Sequence, residues 1–127
     1  MSFARTYLSR PTTGPLLIEE EPDPGLGMVV MIPACGETEL LRTMDSLAGC
    51  LPAGCGVEVV VLINEAVNCR PEISRVNACC MNELEQWKTA YPEIFFRLYP
   101  LRPAPFPEKH AGVGLARKTA MDEAVRR

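Results

Sequence analysis

The 127-residue chain carries 47% hydrophobic side chains and a net charge of −3, which suits one domain with a core of ordinary size. It offers no basic field for a phosphate backbone or an anionic membrane, so nucleic acid is not an expected partner. The longest apolar run, 57–63, is interrupted by Glu58 and falls far short of the roughly 20 residues that cross a bilayer, so no membrane segment is expected.

Residues 1–27 hold Pro11, Pro15, Pro22 and Pro24 and the acidic run Glu19-Glu-Glu21. This composition predicts an extended arm over the domain, with little regular structure beyond a short strand at Leu16–Ile18 and with the acidic run solvated. The domain proper is expected from 28 to 127. Met28-Val-Val-Met-Ile32, closed by Pro33, has the make-up of a strand buried on both faces. Leu40, Leu41, Met44, Leu47 and Ala48 then recur at helical spacing, with Glu37 and Glu39 in the first turn and Gly49 as the stop.

After the turn-rich 51–56 segment, residues 57–63 predict a second buried strand. Pro71 opens a longer helix to about Tyr91, with Val76, Cys80, Leu84, Trp87 and Tyr91 as its stripe and Pro92 as its end. A third strand is read over 95–99, followed by a proline-rich loop (Pro100, Pro103, Pro105, Pro107). A last helix begins near Gly112–Gly114 with Ala116, Ala120, Met121, Ala124 and Val125 on one face. Strands alternating with helices imply an α/β fold: an open, mostly parallel, right-handed Rossmann-like sheet with ligands at the carboxyl ends of its strands.

Six cysteines (Cys35, Cys50, Cys55, Cys69, Cys79, Cys80) lack the paired spacing of a zinc site, and the N-terminus does not read as a secretory signal. Reduced thiols in a cytoplasmic protein are the expectation.

The candidate chemistry gathers at three places. The first strand exit reads Pro33-Ala-Cys-Gly-Glu37, where Pro33 fixes the backbone, Ala34 and Gly36 leave room for a flat ring, and Glu37 supplies an acceptor. The second strand ends in Asn64-Glu65, able to hydrogen-bond a base or ribose or simply to form a turn. The last helix opens with Gly112-Val-Gly114, whose amides and dipole suit a diphosphate, with Arg117 one turn in as a cation or a solvent-facing residue. Gly112-Val-Gly-Leu-Ala-Arg117 is only a partial dinucleotide fingerprint and follows a loop rather than a strand. His110, alone in its loop, is by default a bystander.

In this order the segments resemble glycosyltransferase family 2, sugar-nucleotide-dependent transferases of the GT-A type. Ile32-Pro-Ala-Cys-Gly-Glu37 is similar to the family's Ile-Pro-Ala-Tyr-Asn-Glu, with Cys35 and Gly36 replacing Tyr and Asn. Asn64-Glu65 matches its base-reading pair, and 110–117 matches its Asn-x-Gly-x-x-x-Ala-Arg, with His110 for Asn. The resemblance covers about residues 28–127. It implies that Pro33, Ala34 and Glu37 frame base and ribose, Asn64 or Glu65 bonds the base, and Gly112 and Arg117 face the diphosphate of a UDP- or GDP-type sugar. Cys35 removes a stacking surface at the base.

The resemblance also implies a following strand with an Asp-x-Asp motif holding Mg or Mn, and then an acceptor subdomain with a catalytic base. No Asp-x-Asp occurs in the chain, and Asp122-Glu123, inside the last helix, reads as a surface pair. The expectation is the nucleotide-binding front of a glycosyltransferase, truncated, with no catalytic or metal residue of its own and no activity alone. The competing expectation is a non-catalytic nucleotide-binding or assembly module. Exposed edges of an incomplete sheet would favour homo-oligomers.

Overall fold

A computed structural model of the chain describes residues 3–10 and 14–127, without the side chains of His110 and Val113. The elements in chain order are α1 (Phe3–Leu8), β1 (Leu26–Ala34), α2 (Leu40–Ala48), β2 (Gly56–Ile63), α3 (Pro71–Ala90), β3 (Phe96–Leu101), a 3-10 turn (Glu108–His110) and α4 (Val113–Arg126). The three strands form one open parallel sheet in the order β1-β2-β3, with helices on its faces, a Rossmann-like α/β arrangement.

The two faces follow from strand alternation. Val57, Val59, Val61 and Ile63 of β2 turn to one side, where Leu40 and Met44 of α2, Cys80, Leu84 and Trp87 of α3, and Phe96 and Leu98 of β3 complete the main core. Residues 58, 60 and 62 turn to the other. There Leu62 meets Phe106 and Ala116 and Ala120 of α4, and Val60 meets Ile18 and Tyr99. Both faces of β2 are thus buried, as its apolar run requires. β1 differs from expectation: most of it is only half-buried and Met28 is 49% exposed, because β1 lies at a sheet edge. Pro33 and Pro100 fall inside β1 and β3, positions that edge strands tolerate.

Residues 14–24 run over the second face as an arm, and Glu19, Glu20 and Glu21 are exposed. No strand forms at Leu16–Ile18: the Leu17 and Ile18 amides donate instead to the Glu123 carboxylate, at 3.2 and 3.0 Å. The arm region also contains a short helix, α1, against α4, where the composition had predicted none. Pro11 lies outside the described residues.

The expected α4 stripe is corrected as well. Ala116, Ala120, Asp122 and Glu123 are the buried side chains, while Met121 is 52% exposed and Val125 is exposed. Asp122-Glu123 is therefore no surface pair. Glu123 is fixed by the arm amides and by Arg126 at 2.6 Å, and Asp122 accepts from the Tyr7 hydroxyl and from Lys118 at 2.6 Å. Apolar spacing alone predicts the α4 face, whereas its buried face is closed by ion-paired carboxylates. Similarly, Tyr91 at the end of α3 is exposed and Asn77 takes a core position.

Candidate functional site

The carboxyl ends of β1 and β2 and the start of α4 meet around a cavity of about 340 Å³ lined by Pro33, Ala34, Cys35, Asn64, Ala66, Cys69, Ile73, Ala111 and Gly112. It lies where ligands gather in open parallel sheets, and its volume is at the lower end for a small-molecule pocket. Four of the seven residues singled out in the sequence, Pro33, Ala34, Asn64 and Gly112, come together here.

The lips are built by local backbone chemistry. Gly36 has φ +62°, a left-handed conformation that glycine and asparagine adopt most easily. Its N–H donates to Asn77 Oδ1 at 2.9 Å, which ties the turn after β1 to α3. A Cβ at Gly36 would meet only Ile73 at 3.8 Å, so conformation rather than space calls for glycine. Gly112, with φ 140° and ψ 179°, sits in a region essentially confined to glycine and hands the chain into α4. Neither a side-chain cap nor an acidic residue occupies the first turn of α4, so its leading amides are not met by a side-chain cap.

Behind the cavity lies a buried polar network. Asn64 Nδ2 donates to the Ala34 carbonyl at 2.9 Å, beside the main-chain bond from Asn64 N–H to the same oxygen at 2.8 Å. The Glu65 carboxylate accepts from Arg102 Nη2 at 2.8 Å, Asn77 Nδ2 at 3.2 Å and Cys69 Sγ at 3.5 Å, and is only 7% exposed. Burial alone would raise its pKa, but hydrogen bonds from Arg102, Asn77, Ser74 and Cys69 outweigh that cost and hold it at about 2. Burial and then the Glu65 carboxylate push the Cys35 and Cys69 thiols up, so neither is an activated nucleophile. Phe106 pins the proline loop here through bonds with Glu65 O (2.8 Å) and Val67 N–H (2.9 Å).

The other expected residues lie elsewhere. Glu65 is turned inward onto Arg102 and Asn77 rather than into the cavity. Glu37 is exposed, accepts from the Glu39 N–H at 3.0 Å, and borders a separate depression on the α2 side that shares only Pro33, Ala34 and Cys35 with the cavity. Arg117, one residue past buried Ala116, is exposed and lines neither. The side chain of His110 lies outside the described residues.

Asn77 and Arg102 were missed. Asn77 is a polar residue in step with Cys80, Leu84 and Trp87 on the buried side of α3, and Arg102 directly follows β3, where the strand-end rule applied to β1 and β2 points equally.

Among the described residues no three His, Cys, Asp or Glu side chains are placed to hold a metal ion, and Asp122 and Glu123 are already paired. The residues present do not fit the divalent metal that the resemblance implies. No described helix is long and apolar enough to cross a membrane, and all six cysteines are free thiols. No protein-family model, curated protein or solved structure matches the chain.

Proposed function

We propose that this chain is the nucleotide-sugar-binding portion of a glycosyltransferase, taking a UDP- or GDP-type donor at the carboxyl edge of its sheet and performing no sugar transfer on its own. The observation that carries the reading is the convergence of Pro33, Ala34, Asn64 and Gly112, from three sequence-distant segments, on one cavity. Base and ribose lie on the Ala34–Asn64 side, and the diphosphate faces Gly112 and the uncapped start of α4. The left-handed Gly36 adds support, since the residue it replaces in the family motif, asparagine, is the other type that tolerates this conformation.

A second reading, a non-catalytic nucleotide-binding or assembly module, draws on different observations. Asn64 Nδ2 and the Glu65 carboxylate are engaged within the protein, and Glu37 and Arg117 stand off the cavity.

Calorimetric titration with UDP and GDP, each with and without Mn²⁺, tests the proposal. Saturable binding that tightens when Cys35→Tyr restores a stacking surface supports it, with a gain of about 1 kcal/mol expected from base stacking. Absence of binding by the folded chain overturns it in favour of an assembly module. Sugar transfer by these 127 residues alone would overturn the inactivity.

A further inference from the structure

We propose that Cys35 and Cys69 are a redox pair, joined by an oxidant of the peroxide class into a disulfide that spans the cavity at the strand ends and bars ligands from it. The two thiols belong to different walls. Cys35 directly follows β1, and Cys69 ends the turn ahead of α3, where its N–H donates to the Ala66 carbonyl at 3.1 Å. Both line the cavity of about 340 Å³. Of the lining residues only these two and Asn64 carry a side-chain heteroatom, and Asn64 Nδ2 is already bonded to the Ala34 carbonyl at 2.9 Å. Covalent chemistry within the cavity therefore falls to the two sulfurs.

A shared neighbour brings the thiols together. The Glu65 carboxylate accepts from Cys69 Sγ at 3.5 Å and also acts on Cys35. Burial and then Glu65 push both thiols up, and Cys35 adds to the rise at Cys69. The contact that Cys69 gives up on bonding is a weak thiol donor bond. The other four cysteines are placed elsewhere. Cys50 and Cys55 sit in the loop that enters β2, at the opposite end of the sheet, where Cys55 lies against Gly27. Cys79 is exposed and donates to Glu83 at 3.5 Å, while Cys80 is buried and its thiol is pushed up to about 11.

Cys35, the exposed member, meets the oxidant first. Its thiolate attacks one peroxide oxygen, the O–O bond breaks, and the departing hydroxide takes up a proton to leave as water. The sulfenic acid so formed is attacked by Cys69 Sγ. Its S–O bond then breaks, and the Cys69 proton leaves with the hydroxyl as a second water. The two sulfurs lose two electrons, and the peroxide gains them. Both thiols lie above their ordinary pKa, so the step draws on a small thiolate fraction that grows as pH rises. Exclusion of a nucleotide rests on the function proposed above; formation of the bond does not.

Peroxide treatment of the full chain, alkylation of the remaining thiols, cleavage after glutamate and mass spectrometry test the bond. Cleavage after Glu21, Glu37, Glu65 and Glu72 puts Cys35 and Cys69 on separate peptides that hold no other cysteine. The expected product is these two peptides linked, two hydrogens lighter than their sum and separated by dithiothreitol. Its formation is expected to quicken roughly tenfold per pH unit from pH 6 to 8, and to vanish in Cys35→Ser and in Cys69→Ser. Links from Cys35 to Cys50 or Cys55, links between two chains as the main product, or further oxidation at both sites without a link would each overturn the proposal. UDP titrations before and after oxidation test the barred cavity: binding lost on oxidation and regained with dithiothreitol supports it, and undiminished binding by the linked chain overturns it. A reduced chain that binds no UDP tells against the nucleotide reading, and the linked peptides then decide this one.

Discussion

Glu65 is held by Arg102, Asn77 and Cys69 in a site that excludes most water, so its charge contributes to stability rather than to ligand contact. Folding depresses its pKa from 4.5 to about 2, so between those values the unfolded chain binds more protons than the folded one. The contribution is complete above about pH 4.5 and is lost as pH falls toward 2; it amounts to roughly 3 kcal/mol. Glu65→Gln removes it. Urea midpoints from pH 7 to 2 are expected to show the variant less stable at neutral pH by roughly 2–3 kcal/mol and converging with the parent in acid; parallel curves would contradict this assignment. The two left-handed glycines give a second expectation. Gly112→Ala, in open space but in a glycine-only conformation, is expected to cost about 1–3 kcal/mol, and Gly36→Ala about 1–2 kcal/mol, in chemical denaturation. The strand-exit glycine was visible in the sequence, but its physical reason was not: space for a ring was inferred, and a backbone angle is what the structure holds.

At the scale of elements, continuous apolar runs and helical spacing located β1, β2, α2 and α3 to within a few residues, because each of these is decided by burial of its own apolar face. What escaped were features set by distant polar partners. Leu16–Ile18 has strand composition, yet its amides are claimed by Glu123 more than a hundred residues away. The α4 face was misplaced for the same reason, since Asp122 and Glu123 are buried only because Tyr7, Lys118, Arg126 and the arm pair with them. The candidate site was legible to the same depth: strand ends identified the cavity, while the inward turn of Glu65 depended on Arg102 beyond β3. This placement of α4 has a direct check. Ala120→Leu, which presses new methyl groups against Leu62, is expected to destabilise by about 1–3 kcal/mol, whereas Met121→Leu, on the exposed side, stays within about 0.5 kcal/mol by thermal or urea denaturation.

At the scale of the whole fold, one ion pair joins the central strand to Arg127, the residue after α4. Glu58, fully buried in β2, accepts from Arg127 Nε at 2.7 Å and Nη2 at 3.0 Å, and from the Asp23 N–H at 3.1 Å. The Arg127 side chain is 3% exposed, lies 5.1 Å from the centroid of the Tyr99 ring, and donates to the Glu20 carbonyl, so arm, β2, β3 and the end of α4 meet at one guanidinium. The hydrogen bonds from Arg127 hold the Glu58 pKa below its ordinary value against the opposing effect of burial. A bidentate pair of this kind repays its desolvation only while both partners stay. Arg127→Ala leaves an uncompensated carboxylate in the middle of the sheet and is expected to cost about 3–5 kcal/mol, with the loss smaller at low pH, where Glu58 takes up a proton. Pairing Arg127→Ala with Glu58→Leu removes the stranded charge and is expected to recover much of that loss. Denaturant melts of the single and double variants at pH 7 and pH 4 decide the matter: if the double variant is no more stable than Arg127→Ala alone, what Arg127 supplies is packing on Tyr99 and the arm, not compensation of the buried charge.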